Sequence, residues 1–533
     1  MVPYFMQDGI KTKQAEKLEE VRRIIMEETE PVQSLLMIDA LQRLDIDYHF
    51  SEEINSLLRE HNNNFNGSRG GRIMESLHDV ALSFRLLRQH GYYVSADVFN
   101  KYKDGKGRFR AEVAEDIRGM LALYEASHLG IEGEDELDKA RVFASKHLES
   151  SAMRMNAGLS RQVQHILKHP FHLNLPKFNA KFYLNNSSGS VQGKMRIFHE
   201  LAQLSFNVGQ ALHQRELEHF STWWRDMGLA QQLRFARDQP VKWSMWSIAC
   251  LPHPEFSNYR VQITKPVAFV YLIDDIFDTH GTLDELVLFT EAVNSWDDDA
   301  INKLPGYMKT CFMALNKTTN EIADMVLRHH GWDPLVILRK SWAMLCDAFL
   351  VEAKWFACGH SPKADEYLKN GVISSGVPTV LIHLLSLLGE RVTEEADHDL
   401  VDNIPGLISY PASILRLWDD LGSAKDEKQQ GHDGSYLDYH MQERGKSLSL
   451  QDAREHVMHL IDEEWKKLNK ACLSPNRFSS TFTVASLNSA RMVQVMYSYD
   501  DHQRLEALEQ HINTLIGEND GSEIKPGVAL ENS

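Results

Sequence analysis

Cysteine is scarce: the 533 residues hold only Cys250, Cys311, Cys346, Cys358 and Cys472, with no C-x-x-C pair among them. An odd count without paired spacing suggests neither a disulfide framework nor a cysteine zinc cage, and it fits a reducing compartment. Positive charge is also short, with 57 lysines and arginines against 75 aspartates and glutamates and a net charge of -18. A surface that acidic repels nucleic-acid backbones and anionic membranes, so neither is expected as a partner. No apolar run reaches the roughly 18 residues that suggest a membrane span, and a soluble protein is expected. H-E-x-x-H, G-x-S-x-G, the P-loop and G-x-G-x-x-G are all missing, and with them the metalloprotease, serine-hydrolase, nucleotide and dinucleotide chemistries those spacings serve. Tryptophan is absent from the N-terminal part, because all ten lie between Trp223 and Trp465.

Helical periodicity is what the chain has in abundance. Leu77, Ala81, Phe84 and Leu87 form one apolar stripe with Gly91 placed to close it, and alternating strand patterns are lacking, so the fold class is all-α. Turn-rich breaks are expected at 61–72 and 185–193, and 517–533 reads as a loose polar tail. The middle break and the tryptophan distribution divide the chain into two helical domains, 1–205 and 206–533. The segment Met1-Val2-Pro3-Tyr4-Phe5-Met6 runs into a charged helical pattern with neither a secretory core nor a Ser/Arg-rich transit segment. The expectation is a cytoplasmic protein, or a plastid one if a transit peptide has been removed.

Two acidic clusters carry the chemistry. Asp274-Asp275-Ile276-Phe277-Asp278 ends the apolar run Val267–Ile273, and Asp419-Asp420-Leu421-Gly422-Ser423-Ala424-Lys425-Asp426-Glu427 follows 145 residues later. On a helix Asp274 and Asp278 share a face, and Asp419, Ser423 and Glu427 repeat the four-residue step over two turns. Like charges so spaced repel, and hydrated magnesium bridging to phosphate neutralises them naturally. Ser423 adds a neutral oxygen ligand. Arg416, one turn before Asp419, is placed to meet phosphate oxygens bidentately, an ordinary intrahelical ion pair being the plain alternative.

With both clusters in view, the chain resembles the plant class I terpene synthases over nearly its whole length. The strings Leu212-His213-Gln214-Arg215-Glu216-Leu217, Trp223-Trp224, Phe235-Ala236-Arg237-Asp238, Gly281-Thr282-Leu283-Asp284-Glu285-Leu286 and Leu121-Ala122-Leu123-Tyr124-Glu125-Ala126-Ser127 are similar to that family. The resemblance implies a non-catalytic N-terminal helical domain followed by a metal-binding catalytic bundle. It implies that Asp274, Asp278, Asp419, Ser423 and Glu427, supported by Asp275, hold three Mg2+ ions, with Mn2+ as a substitute, against a prenyl diphosphate. Arg237, Arg416 and Lys425 would bind the leaving group, and Trp246 matches the position of a pocket aromatic, packing being its plain alternative. No D-x-D-D motif stands in the N-terminal half, which disfavours proton-initiated cyclisation.

The departures narrow the product. Gln239 stands where relatives usually have arginine, and Arg22-Arg23 is followed by Val32 where makers of cyclic monoterpenes carry tryptophan. Arg237-Asp238-Gln239-Pro240-Val241-Lys242-Trp243 resembles the g-type subfamily, which implies acyclic tertiary alcohols: linalool from geranyl diphosphate or nerolidol from farnesyl diphosphate. A monomer is expected, with 429–436 as a lid and Ser374-Ser375-Gly376 as a helix break at the pocket wall. The rivals are a synthase of acyclic or cyclic hydrocarbons, a chain-elongating prenyl synthase, and a catalytically silent helical interaction protein.

Overall fold

A computed structural model describes residues 4–66, 76–186, 193–390, 403–423, 434–445, 448–497 and 506–517, and these are helices joined by short turns. Among the described residues there is no strand, only an isolated bridge between Lys103 and Phe109. The chain divides into two units, Met1–Gln210 with Asn469–Asn476, and Ala211–Leu468 with Arg477–Ser533.

In the first unit, helix α1 (Ser51–Asn66) and helix α2 (Leu77–Gln89) show how the apolar pattern becomes structure. Ser76 caps α2 by accepting from the Asp79 N–H, and the stripe Leu77, Ala81, Phe84 and Leu87 is buried. Gly91, at φ +80°, closes the helix: its N–H donates to Arg88 O (3.1 Å) and the Tyr92 N–H donates to Leu87 O (3.0 Å), the paired bonds of a left-handed glycine cap. The expected break at 61–72 is corrected over its first six residues, which continue α1 to Asn66. Tertiary context overrides the asparagines, because His61 is buried, its Nε2 lies 3.1 Å from Ser83 Oγ, and Phe65 packs against the unit's core. Likewise Asn185 and Asn186 still belong to the helix Pro176–Asn186, where Asn186 Nδ2 donates to Phe182 O at 2.8 Å. Residues 67–75, 187–192 and 518–533 of the expected breaks and tail lie outside the described residues.

In the second unit, helix α3 (Pro240–Cys250) packs on α4 (Ser257–Asp275) and on the later α8 (Ser480–Tyr497). Helices α5 (Ala364–Ser374) and α6 (Val377–Leu387) meet at a break, and α7 (Gly406–Ser423) packs on α5, α6 and α8. The stretch Ala364–Leu387 is long and apolar enough to span a membrane, with mean hydropathy 1.4 in its best window, which corrects the expectation that no such run exists. It is broken at Ser375–Gly376, and 72% of that window is buried inside the fold, so its apolarity is spent on packing. The five cysteines are free thiols.

Arg260 anchors the start of α4. It is 1% exposed and pairs with Glu216 through Nε (2.8 Å) and Nη2 (2.6 Å), while Nη1 donates to the carbonyls of Leu251 and His253 at 2.6 Å each. Removing one partner of a buried pair strands the other charge, so Glu216→Ala is expected to cost about 3–5 kcal/mol. A urea titration measures this, and a loss below about 1 kcal/mol would show that water reaches the guanidinium.

Candidate active site

The end of α4 sets the polar rim of the site. Val267, Ala268, Phe269, Leu272 and Ile273 are buried and fix the helix in the bundle, so the carboxylates that follow emerge at the edge of the core. The backbone then widens: Ile276–His280 is a π-helical turn closed by the Gly281 N–H on Ile276 O (2.8 Å). The expectation of one uninterrupted α-helix through Asp278 is thereby corrected. Thr279 Oγ1 takes the Asp275 carbonyl at 2.7 Å, and π-turns of this kind concentrate at functional sites.

Arg237, on the loop before α3, gathers the two carboxylates at the end of α4. Its Nη2 bonds Asp274 Oδ2 and its backbone N–H donates to Asp275 Oδ2 at 2.8 Å. Its Nε lies 2.7 Å from Asp275 Oδ1 as a charge contact without a directed N–H bond. The guanidinium also stands 5.0 Å from the Tyr271 ring centre. Burial works against its charge, but Asp274 and Asp275 override this and hold Arg237 firmly cationic. Burial pushes the Asp275 carboxyl up to about 6, with Arg237 acting in the opposite direction.

Asp274, Asp419, Arg237 and Arg416 all line a single cavity of about 190 Å³. The two acidic clusters, remote in sequence, thus converge. Burial raises the Asp419 carboxyl; Arg416 opposes the rise and Asp274 adds to it, so the two aspartates repel across the cavity. A hard-oxygen pair of like charge is a chemical fit for a divalent cation. Arg416 is half-buried and held charged: desolvation disfavours the ion, and Tyr367, Asp420, Glu352 and Asp419 more than offset it. Its Nη1 lies 3.7 Å from both Asp419 Oδ2 and Asp420 Oδ1. Asp420 faces elsewhere, accepting from the Tyr436 N–H (2.8 Å) and the Tyr367 hydroxyl (3.1 Å).

Below the rim most of the lining residues are apolar, with serines and tyrosines among them, and helical rise gives the cavity its depth. Ile263, Val267, Val270, Tyr271 and Asp274 descend one side of α4, a ladder of about 16 Å at 1.5 Å per residue. Helix α3 runs the other way: Lys242 lies 5.9 Å from the Tyr271 ring centre, Trp246 Nε1 donates to the Tyr271 hydroxyl at 3.3 Å, and Ser247 Oγ meets Thr264 Oγ1 at 2.7 Å. At the far end Cys250 Sγ lies 3.2 Å from Ser489 Oγ on α8. Trp246 therefore lies on the wall. The break at Ser374-Ser375-Gly376 is also at the wall, and Gly376 adopts φ +73° there.

The remaining expected residues are placed as follows. Asp275 is buried against Arg237 and does not line the cavity, while Asp278 is exposed on the π-turn. Ser423 is the last residue of α7. Lys425, Glu427 and 429–433 of the expected lid lie outside the described residues, among which no three His, Cys, Asp or Glu side chains form a metal cluster. Lys242 and Tyr271 line the cavity without having been singled out from the sequence. The signal for Lys242 was its four-residue step to Trp246 and on to Cys250 along one face of α3.

Two family profiles match the chain: "Terpene synthase, N-terminal domain" over residues 4–167 and "Terpene synthase family, metal binding domain" over residues 225–467. An (E)-nerolidol synthase of Cannabis sativa is 50% identical over 511 residues, covering 93% of this chain and 90% of that protein. A chloroplastic tricyclene synthase of Antirrhinum majus is 43% identical over 509 residues, covering 94% and 86%. The isoprene synthase of grey poplar leaves (Populus x canescens), solved with three Mg2+ ions and dimethylallyl-S-thiolodiphosphate, superposes with a TM-score of 0.88 at 39% identity, covering 96% of this chain and 98% of that one.

The wall at Gly376 has no room for a side chain. A Cβ there would lie 2.3 Å from Val270 Cγ1, and the left-handed backbone adds strain. Gly376→Ala is expected to destabilise the fold by about 1–3 kcal/mol, read as a lower urea midpoint; an unchanged midpoint would mean that α4 and α6 part without cost.

Proposed function

The chain belongs to the plant terpene synthase family and is a class I terpene synthase; from this premise we propose that it ionises a prenyl diphosphate and captures the allylic cation with water, giving nerolidol from farnesyl diphosphate and linalool from geranyl diphosphate. The observation that carries the reading is the convergence of Asp274, Asp419, Arg237 and Arg416 at one end of a cavity whose remainder is largely apolar. Half-identity with an (E)-nerolidol synthase supports the acyclic alcohol.

Asp274, Asp278, Asp419, Ser423 and Glu427, with Asp275 in support, would hold three Mg2+ ions, with Mn2+ as a substitute. Bound there, the metal supplies Lewis-acid neutralisation of the leaving diphosphate. The chain's own groups do the rest. Arg237 already neutralises Asp274 and Asp275, and with Asp274 engaged by a metal its guanidinium would be free to meet diphosphate oxygens. Arg416 stands opposite, and Lys242 adds a third positive charge at the rim; Lys425 is assigned to the same leaving group. Positive groups fixed where negative charge develops lower the barrier to carbon–oxygen cleavage without reorganising. The apolar wall keeps bulk water from the cation, and Trp246 offers it an aromatic face. Residues 429–436 serve as the lid that admits one water.

The N-terminal domain, 1–205, is assigned no catalytic role, and the enzyme is taken as a monomer. The compartment is cytoplasmic, or plastidial as for the chloroplastic tricyclene synthase relative. That relative also supports a second reading, in which the same ionisation leads to a hydrocarbon.

Incubation with Mg2+ and, separately, geranyl and farnesyl diphosphate is expected to yield linalool and nerolidol by gas chromatography–mass spectrometry. Cyclic hydrocarbons would replace this reading with the second, and no product would restore the silent interaction protein. Asp274→Ala is expected to lower turnover by at least about a hundredfold, in the range of losing one preorganised electrostatic group, while the circular dichroism spectrum stays native. Near-normal turnover would remove Asp274 from the metal set.

A further inference from the structure

Helix α5 carries a glycine that its backbone does not require. Gly371 lies mid-helix and is buried, with no positive φ to demand it. Glycine in a helix interior is destabilising relative to alanine, so close approach is the remaining reason for it. A Cβ at Gly371 would lie 2.9 Å from Arg416 Cγ and 3.2 Å from both Cδ and Nε. Arg416 thus crosses α5 directly over this residue.

The neighbours on the same helical face complete the arrangement. Tyr367, Gly371 and Ser374 stand at i, i+4 and i+7, one side of an α-helix. The Tyr367 hydroxyl lies 3.4 Å from Arg416 Nη1, and Ser374 Oγ lies 3.4 Å from Nη2. Ser374 donates its proton to Glu352 Oε1 at 2.7 Å, which leaves its oxygen as an acceptor toward Arg416. Asn370 Nδ2 holds the same Glu352 oxygen at 2.8 Å. The guanidinium is therefore oriented without being saturated. Among the described residues its Nε has no partner and its Nη contacts are all at 3.4 Å or more, longer than a full-strength charged hydrogen bond.

We propose that Gly371 is a positioning residue for Arg416: with Tyr367, Ser374 and Glu352 it forms a berth that aims the guanidinium's unspent donors at the diphosphate. The inference rests on the reading of Arg416 as a leaving-group ligand. A methyl at Gly371 pushes on Cγ, partway along the Arg416 side chain, and swings the head away from its oxygens.

The test is calorimetric titration of the full chain with inorganic diphosphate in the presence of Mg2+, for wild type, Gly371→Ala, Arg416→Ala and the double variant. Gly371→Ala is expected to weaken diphosphate binding about tenfold, the effect of one lost hydrogen bond to a charged group, without lowering the melting temperature. In the Arg416→Ala background the same change is expected to have no further effect, because both act through one group. Ser374→Ala, which leaves the backbone alone, is expected to weaken binding in the same direction and serves if Gly371→Ala does not fold. Wild-type affinity in Gly371→Ala beside a weakened Arg416→Ala, or full additivity in the double variant, overturns the berth alone. Wild-type affinity in Arg416→Ala overturns the reading of Arg416 as well.

Discussion

Arg237 divides its charge between Asp274 and Asp275, and the geometry of the rim depends on that division. The last turn of α4 would otherwise bring adjacent carboxylates to the edge of an apolar core, facing Asp419 across the cavity. Without a cation such an array repels itself. The Arg237 guanidinium supplies part of the positive charge such an array needs. It also explains the inequality of the two aspartates: Asp275 is sequestered behind Arg237 and becomes structural, while Asp274 faces the cavity and stays available to a ligand.

Arg416 and Arg237 flank the same space by opposite strategies. Arg237 is engaged by short contacts to the carboxylates of Asp274 and Asp275. Arg416 is surrounded at longer range, with donors in reserve and its side chain constrained by α5. One arginine is therefore held by the carboxylates of the rim, while the other is set in advance by packing. Under the proposed chemistry, a site that would take up both a metal and a diphosphate gains from having one arm preorganised.

Much of this was legible in the sequence, and the limits are physical. The acidic clusters, the apolar run before the first, the helix closed at Gly91 and the break at Gly376 all rest on local periodicity or single-residue backbone chemistry. The strings behind the family resemblance serve the fold more than the reaction: Glu216 pairs with Arg260, Trp224 Nε1 donates to Asp238 Oδ1 at 2.9 Å, Glu285 caps its own helix through Thr282, and Glu125 accepts from the Phe171 N–H at 2.8 Å. What escaped was long-range. Gly371 has meaning only once Arg416 lies across it, and Tyr271 only once Lys242 and Trp246 return beside it. Asn62 to Asn66 read as a turn because asparagine favours turns locally, whereas the burial of His61 against Ser83 is a fact of the folded unit.

The aromatic rings near the rim are not equivalent, and their electrostatics separate them. Tyr271 already presents its ring to two cations, Arg237 at 5.0 Å and Lys242 at 5.9 Å. A ring polarised toward fixed positive groups has little to offer a carbocation, which those same groups repel. Trp246 makes no such contact among the described residues. Its indole N–H is tied to the Tyr271 hydroxyl, and the residue lines the cavity. Under the proposed chemistry, positive side chains at the rim hold the diphosphate and push the allylic cation inward, and the neutral indole lies on the wall it is pushed toward. Charge separation during ionisation would then follow the direction already built into the cavity, from Arg237, Arg416 and Lys242 at the rim toward Val267 and Ile263 below.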